Sequence, residues 1–308
     1  MVSSEVQLFD ALRLVLGLAF LAIAAVMDVR TRKVHNRLWF IMFFVGIMVL
    51  ELGYITSKAP AALLLTPIPA MIFFIVIFTE GEIGEDALSE GANMALTVLL
   101  LVVAIAIIIY QGQMLKYSSD WVRSLHIPIM IAVSYGLYLV GMLRGGADAK
   151  AFMGLAVLAP FYPSIGPMPF IGSPEQMMII LPFALVVLFD SALATMLVPL
   201  GYAVYNVGRG DIDRRMFFGY RLALKLVPHR FVWLMEKMED GEMVTELFPK
   251  RGTKKQLLRD IKALQKAGKK KVWVTPKIPF MVPMVAGYLL AFVAGNLIFG
   301  LIFWIAGL

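Results

Sequence analysis

The side chains best placed to carry chemistry in this chain are three aspartates set against or inside apolar runs. They are Asp28 in AAVMDVRTRKVHNRLW, Asp148 in RGGADAKAFMGLAVLAP and Asp190 in LVVLFDSALATML. A carboxylate at the mouth of a hydrophobic span, or within one, is costly to keep and is a functional candidate for that reason. Two of them delivered to one face at similar depth would make a dyad. Like charges held close cannot both ionise, so one proton is shared and the pair can hold a water while polarising a carbonyl. Cysteine is absent, which excludes a thiol nucleophile, a disulfide and a cysteine zinc site. His35, His126 and His229 stand alone without metal-ligand spacing and read as loop or interfacial residues. Neither a metal nor a cofactor is expected.

Each aspartate also has an ordinary reading. Four cations follow Asp28 (Arg30, Arg32, Lys33, Arg37), so it could pair with Arg32 or simply be hydrated, and Asp148 has Arg144 and Lys150 beside it. What favours chemistry is their joint arrival at one membrane face. Gly145 and Gly146, ahead of Ala147 and Asp148, offer either unusual backbone conformations and close substrate approach or a plain helix-start loop. Asp190 lies near the middle of its span and reads first as an interhelical hydrogen-bonding residue. A literal G-x-G-D occurs at Gly208, Arg209, Gly210 and Asp211, but the charged IDRRMFFGYR follows it, so Asp211 is expected in bulk water and is set aside.

The elements that must position these residues are membrane helices. Of 308 residues, 60% are hydrophobic and 16% charged, and the mean hydropathy is +0.82, far from the composition of soluble domains. Apolar runs at 9–27, 38–55, 61–79, 92–110, 127–143 and 177–206 meet the length of a span, and 279–307 supplies a last one. An eighth, 147–162, is only about 24 Å long as a helix; such a short span draws its polar end inward, which would set Asp148 at or just below the interface. The fold expected is an all-α polytopic membrane protein of about eight transmembrane helices: a membrane domain over 1–206, a small α+β cytoplasmic insert over 207–278, and a last helix over 279–308. The acidic start, with Glu5 and Asp10, is unlike a cleavable signal, so the first span is expected to be retained.

With the N-terminus outside, the segments 28–37, 80–91, 144–150 and 207–278 fall inside and hold 24 of the 28 Lys and Arg residues, against three outside and Arg13 within the first span. This puts Asp28 and Asp148 at the cytoplasmic face. The insert alone carries 18 basic residues, a charge that reads as membrane-facing or solvated rather than as a nucleic-acid site. Within it, DIDRRMFFGYRLALKLV has the pattern of a helix lying on a membrane surface, and Asp240–Gly241 marks a hairpin. TKKQLLRDIKALQKAG reads as an amphipathic helix, with Thr253 as N-cap and Gly268 just past its end.

Three places, DVRTRKVHNRLW, GGADAKAFMGLAVLAP and TPKIPFMVPMVAGY, resemble the archaeal type IV prepilin peptidase family, close to the preflagellin (prearchaellin) peptidases. The resemblance implies a membrane aspartic protease of the GxGD type with Asp28 and Asp148 as catalytic residues. Arg32, Lys33 and Asn36 fall in the pattern trailing the first, and Gly145, Gly146, Ala147 and Lys150 surround the second. It also implies the substrate: a precursor archaellin or pilin-like protein with a short basic leader and then a hydrophobic helix, lying in the bilayer with its scissile bond at the cytoplasmic interface. The acidic loop over 80–91 could attract such a leader. Three features depart from the family: Ala147 replaces a glycine, His35 stands where proline is usual, and two extra spans separate the aspartates, an even insertion that preserves sidedness. The bacterial branch's cysteine module is missing, so its methyltransferase activity is not implied. Two other readings stand beside this one: a proton-coupled transporter using Asp190, and a non-catalytic scaffold for a pilus machine.

Overall fold

A computed structural model of the chain describes residues 4–79, 90–143, 145–239, 242–249 and 252–306. Most of the acidic loop, Arg144 and the Asp240–Gly241 turn lie outside the described residues. Two compact units emerge, one formed by residues 1–193 with 280–308 and the other by 194–279. The helices are α1 (Ser4–Thr31), α2 (Asn36–Thr56), α3 (Pro67–Thr79), α4 (Glu90–Met114), α5 (Ser119–Leu139), α6 (Gly146–Leu158), α7 (Glu175–Ile180), α8 (Phe183–Met196), α9 (Val198–Val207), α10 (Lys254–Lys266), α11 (Met281–Val293) and α12 (Leu297–Ala306).

Among the described residues, six stretches are long and apolar enough to cross a membrane: Ser4–Thr31, Asn36–Thr56, Ala61–Phe78, Asn93–Met114, Ser119–Leu139 and Phe183–Gly208. The other two expected spans take different forms. The run at 147–162 yields α6, which ends at Leu158 ahead of Pro160. The run at 279–307, expected as one helix, is divided into α11 and α12. Gly295 sits there at φ +94, a conformation open to glycine, and its backbone bridges to Ile171.

In the first unit α6 is the hub, buried on nearly every side and packed on α2 and α5. Small residues allow this proximity. A Cβ on Gly46 of α2 would come within 2.8 Å of the Leu158 backbone, and one on Gly154 of α6 would meet Met42 Sδ at 3.0 Å. Close helix approach through small residues is how membrane helices associate when apolar burial gives no preference over lipid. Gly17 of α1 makes room in the same way for Tyr288 of α11, whose hydroxyl donates to the Arg13 carbonyl at 2.7 Å. Arg13 also forms a buried ion pair with Asp10 at 2.9 Å, and the Ser164 N–H donates to Asp10 Oδ2 at 2.9 Å. This polar knot is 18 residues before Asp28 on α1, about 27 Å away along the helix.

The second unit holds β1 (Tyr220–Ala223), β2 (Val232–Leu234), β3 (Glu236–Glu239), β4 (Glu242–Thr245) and β5 (Lys271–Pro276). β5 is the middle of an antiparallel sheet ordered β1-β5-β2, while β3 and β4 pair with each other. The segment expected to be a surface helix is instead a 3-10 turn, strand β1 and a second 3-10 turn. Pairing with β5 outweighs its helical pattern, and Arg215, bound to Asp213 and Glu236, anchors the entry. α10 forms as expected: Thr253 Oγ1 accepts the Gln256 N–H at 3.2 Å and Gly268 follows the end at φ +72. Leu257, Ile261 and Leu264 turn onto a core with Leu224, Val227, Val232, Val272 and Val274.

Candidate active site

Asp28 lies in the last turn of α1, half-buried. The helix stops there because Arg32 takes a left-handed conformation at φ +58 and its N–H bonds the Asp28 carbonyl at 3.0 Å. Arg32 also acts on the Asp28 carboxyl electrostatically, in line with the first of its ordinary readings. The partner the sequence does not reveal is the Met281 backbone N–H, which faces the same carboxyl group. Met281 opens α11, and its N-cap residue, Phe280, offers no side-chain acceptor. The first N–H groups of a helix lack intrahelical partners and carry partial positive charge, so this end of α11 is suited to hold a carboxylate. A local signal existed in IPFMVPM, where an apolar helix starts after proline without a capping side chain.

Asp148 stands in the first turn of α6. Its N–H bonds the Gly145 carbonyl at 3.0 Å, and the Gly145 backbone faces its carboxyl group in return. The glycines act differently from the expectation of special backbone freedom. Gly145 has extended dihedrals of φ −114 and ψ 130, and Gly146 is helical. Instead, a Cβ on Gly145 would lie 2.8 Å from Asp148 Oδ2, whereas one on Gly146 would meet nothing closer than Tyr138 at 3.9 Å. Gly145 thus leaves room for the carboxylate where it stands, and a side chain there would displace it. Ala147 is likewise inside the helix, where alanine is favourable and glycine is not needed.

The two aspartates, 120 residues apart, come within electrostatic reach of each other. A second link joins their segments: Lys150 Nζ donates to Asn36 Oδ1 at 3.0 Å and sits 4.0 Å from the Phe78 ring centroid. Asn36 begins α2, just after the basic stretch that trails Asp28. His35, the N-cap of α2, has φ −70, the value a proline ring would impose, so histidine there preserves the backbone path.

The remaining candidates lie elsewhere. Asp190 is fully buried in α8 and faces the Leu297 N–H at the start of α12. Neither oxygen has a partner within strict hydrogen-bond geometry, so the link between α8 and α12 here is the approach of that N–H to the carboxyl group. Asp28 meets the beginning of α11 and Asp190 a residue beyond its end, which puts them about 20 Å apart over this 13-residue helix. Asp211 is in the second unit and is paired with Arg221 at 3.5 Å, rather than standing in bulk water. His126 is not a loop residue: it is buried in α5 with Nε2 at 2.9 Å from the Ile179 carbonyl. Among the described residues no three His, Asp or Glu side chains converge as a metal ion would need.

Two family models match the chain. The type IV leader peptidase family covers residues 15–89, which include Asp28, and the archaeal peptidase A24 C-terminus, type II, covers residues 214–297, which include Met281. Asp148 lies between the two matches. Among individual proteins, the chain is 26% identical over 217 residues to a preflagellin peptidase of Methanocaldococcus jannaschii, 65% of this chain and 85% of that one. It is 24% identical over 283 residues to an uncharacterized protein of the same organism, 90% of this chain and 91% of that one. The two family matches hold the residues that meet at Asp28, one on α1 and the other at the start of α11. The chain therefore belongs to the archaeal type IV prepilin and preflagellin peptidase family, as a multi-pass membrane peptidase.

Proposed function

We propose that Asp28 and Asp148 are the catalytic pair of an aspartic endopeptidase that removes the short basic leader from precursor archaellins or type IV pilin-like proteins at the cytoplasmic membrane face. The observation that carries this reading is that the Asp28 carboxyl lies within electrostatic reach of Asp148, each group being seated at the end of an apolar helix. A water held between them attacks the scissile carbonyl carbon. One carboxylate takes its proton while the other, protonated, donates to the carbonyl oxygen. Collapse of the tetrahedral intermediate breaks the C–N bond, and the amine leaves with a proton returned by the pair. Arg32 and the Met281 N–H steady the charge on Asp28, and Gly145 leaves space for Asp148. The substrate class follows the resemblance and the preflagellin peptidase relative. A transporter built on Asp190 has less support, since Asp190 lies about 20 Å from the carboxylate pair, at the far end of α11.

The test is cleavage of a panel of precursor archaellins and pilins by purified full-length protein in detergent. Asp28→Asn and Asp148→Asn should each lower turnover by at least about a thousandfold, and the double variant should be little worse, because groups acting as one unit are non-additive. Asp190→Asn and Asp211→Asn should keep cleaving. Substantial turnover in folded Asp28→Asn would end the two-aspartate mechanism.

A further inference from the structure

On α10 of the second unit, Lys255, Arg259, Lys262 and Lys266 recur at spacings of four, three and four, which aligns them in one stripe along the helix. All four are exposed, and they lie opposite Leu257, Ile261 and Leu264, which turn onto the core. No stripe residue has an acid three or four positions away on the helix. The cations therefore repel one another along the helix, where alternating signs would have supported it. Exposed Lys269, Lys270 and Lys271 continue the positive run, and Leu258 stands exposed at the stripe's edge. A solvated helix face has no need of this arrangement, but a negatively charged surface does.

We propose that the α10 stripe docks the insert onto anionic lipid headgroups. Charge complementarity supports this occupant: residues 207–278 hold 18 Lys and Arg against eight Asp and Glu, while the rest of the chain is net acidic. Connectivity supports it as well. The chain on either side of the second unit is apolar membrane helix, so a lipid surface is within tether range of every copy and its effective concentration is high. Nucleic acid fits less well, because residues 254–271 contain no aromatic side chain on which a base could stack. Lysines and arginines beside an apolar tip are the usual means of holding a phosphate-bearing bilayer surface.

The natural absence of cysteine allows one fluorophore to be placed at Leu258→Cys in the full-length chain. Reconstituted in nanodiscs containing a headgroup-borne quencher, the probe should be quenched in phosphatidylglycerol-rich discs and far less in phosphatidylcholine discs. Changing Lys255, Arg259, Lys262 and Lys266 together to Gln should lower the docked-to-undocked ratio at least about tenfold, each cation at an anionic surface being worth a factor of about five before screening. Changing the three lysines to Arg should leave the ratio unaltered. Helicity and melting of the Gln variant report its folding, which exposed substitutions should preserve. Equal quenching in both lipids, an unchanged ratio in the folded Gln variant, or a response to added oligonucleotide in place of lipid would each overturn the proposal. Precursor cleavage is not the readout, so the outcome is independent of the assignment of the catalytic pair.

Discussion

Adding one methyl group at position 145 separates a steric account of the glycine motif from a conformational one. At φ −114 and ψ 130 the Gly145 backbone is open to alanine, so Gly145→Ala introduces no backbone strain. The new Cβ would stand 2.8 Å from Asp148 Oδ2, and the carboxylate must retreat by about 0.6 Å to reach the 3.4 Å of ordinary contact. It is the far end of a rotatable side chain, so the retreat costs little stability. A catalytic group, however, must be held to about 0.5 Å, and a displacement near 1 Å costs on the order of a hundredfold in rate. Gly145→Ala should therefore lower kcat between about ten- and a hundredfold, roughly 1.4–2.7 kcal/mol in the barrier, with the melting temperature nearly unchanged. Gly146→Ala meets only Tyr138 at 3.9 Å and gains helix propensity of up to about 1 kcal/mol, so it should cleave normally and melt slightly higher. The assay is steady-state processing of a precursor by both variants alongside thermal unfolding. Equal loss of activity in the two, or full activity in Gly145→Ala, would refute the steric argument.

Other consequences follow from contacts away from the reacting groups. Lys150→Met and Asn36→Leu each break the bond that ties the α6 start to the α2 start; a double-mutant cycle on unfolding should return a coupling of about 1.5–3 kcal/mol, the range for a hydrogen bond to a charged group. Gly287→Ala sets a Cβ 2.4 Å from the Ser191 backbone nitrogen; backbone cannot swing aside, so α8 and α11 must part and stability should fall by about 3 kcal/mol, read from thermal unfolding in detergent. In the second unit, hydrogen bonds from Arg215 hold the Asp213 carboxyl at about 2. A depressed folded value means this contribution is present above the ordinary carboxylate range of about 4 and is lost as pH falls toward about 2. Asp213→Asn should therefore flatten that part of the acid-unfolding profile, and an unaltered profile would remove Asp213 as a source of acid sensitivity.

Much of this protein was legible in sequence because a bilayer imposes its demands locally. A hydrocarbon slab requires about 20 consecutive apolar residues, so the long spans could be read one at a time, and an acid at the edge of such a run stands out. The α10 helix was readable for a similar reason: Thr253, the Leu257, Ile261 and Leu264 periodicity, and Gly268 are all local signals. Where a local pattern conflicts with distant pairing, sequence misleads. The segment around Tyr220 has the amphipathic spacing of a helix, yet it becomes β1 because β5, some fifty residues on, supplies its hydrogen bonds.

The sequence by itself determined that Asp28 and Asp148 each sit at the end of an apolar helix, that no cysteine chemistry is possible and that the insert is basic. Only the tertiary structure decided which helices meet. The contacts of Gly46 with Leu158, Gly17 with Tyr288 and Gly154 with Met42 are matches of shape, invisible to hydropathy because lipid is as apolar as the partner helix. Those matches bring the Asp148 carboxyl within reach of Asp28 and lay the first N–H of α11 against Asp28 from 253 residues away. They also place Asp190 at the opposite end of that helix. A carboxylate can be recognised from its neighbours in the chain, but its partners depend on how close two backbones can come.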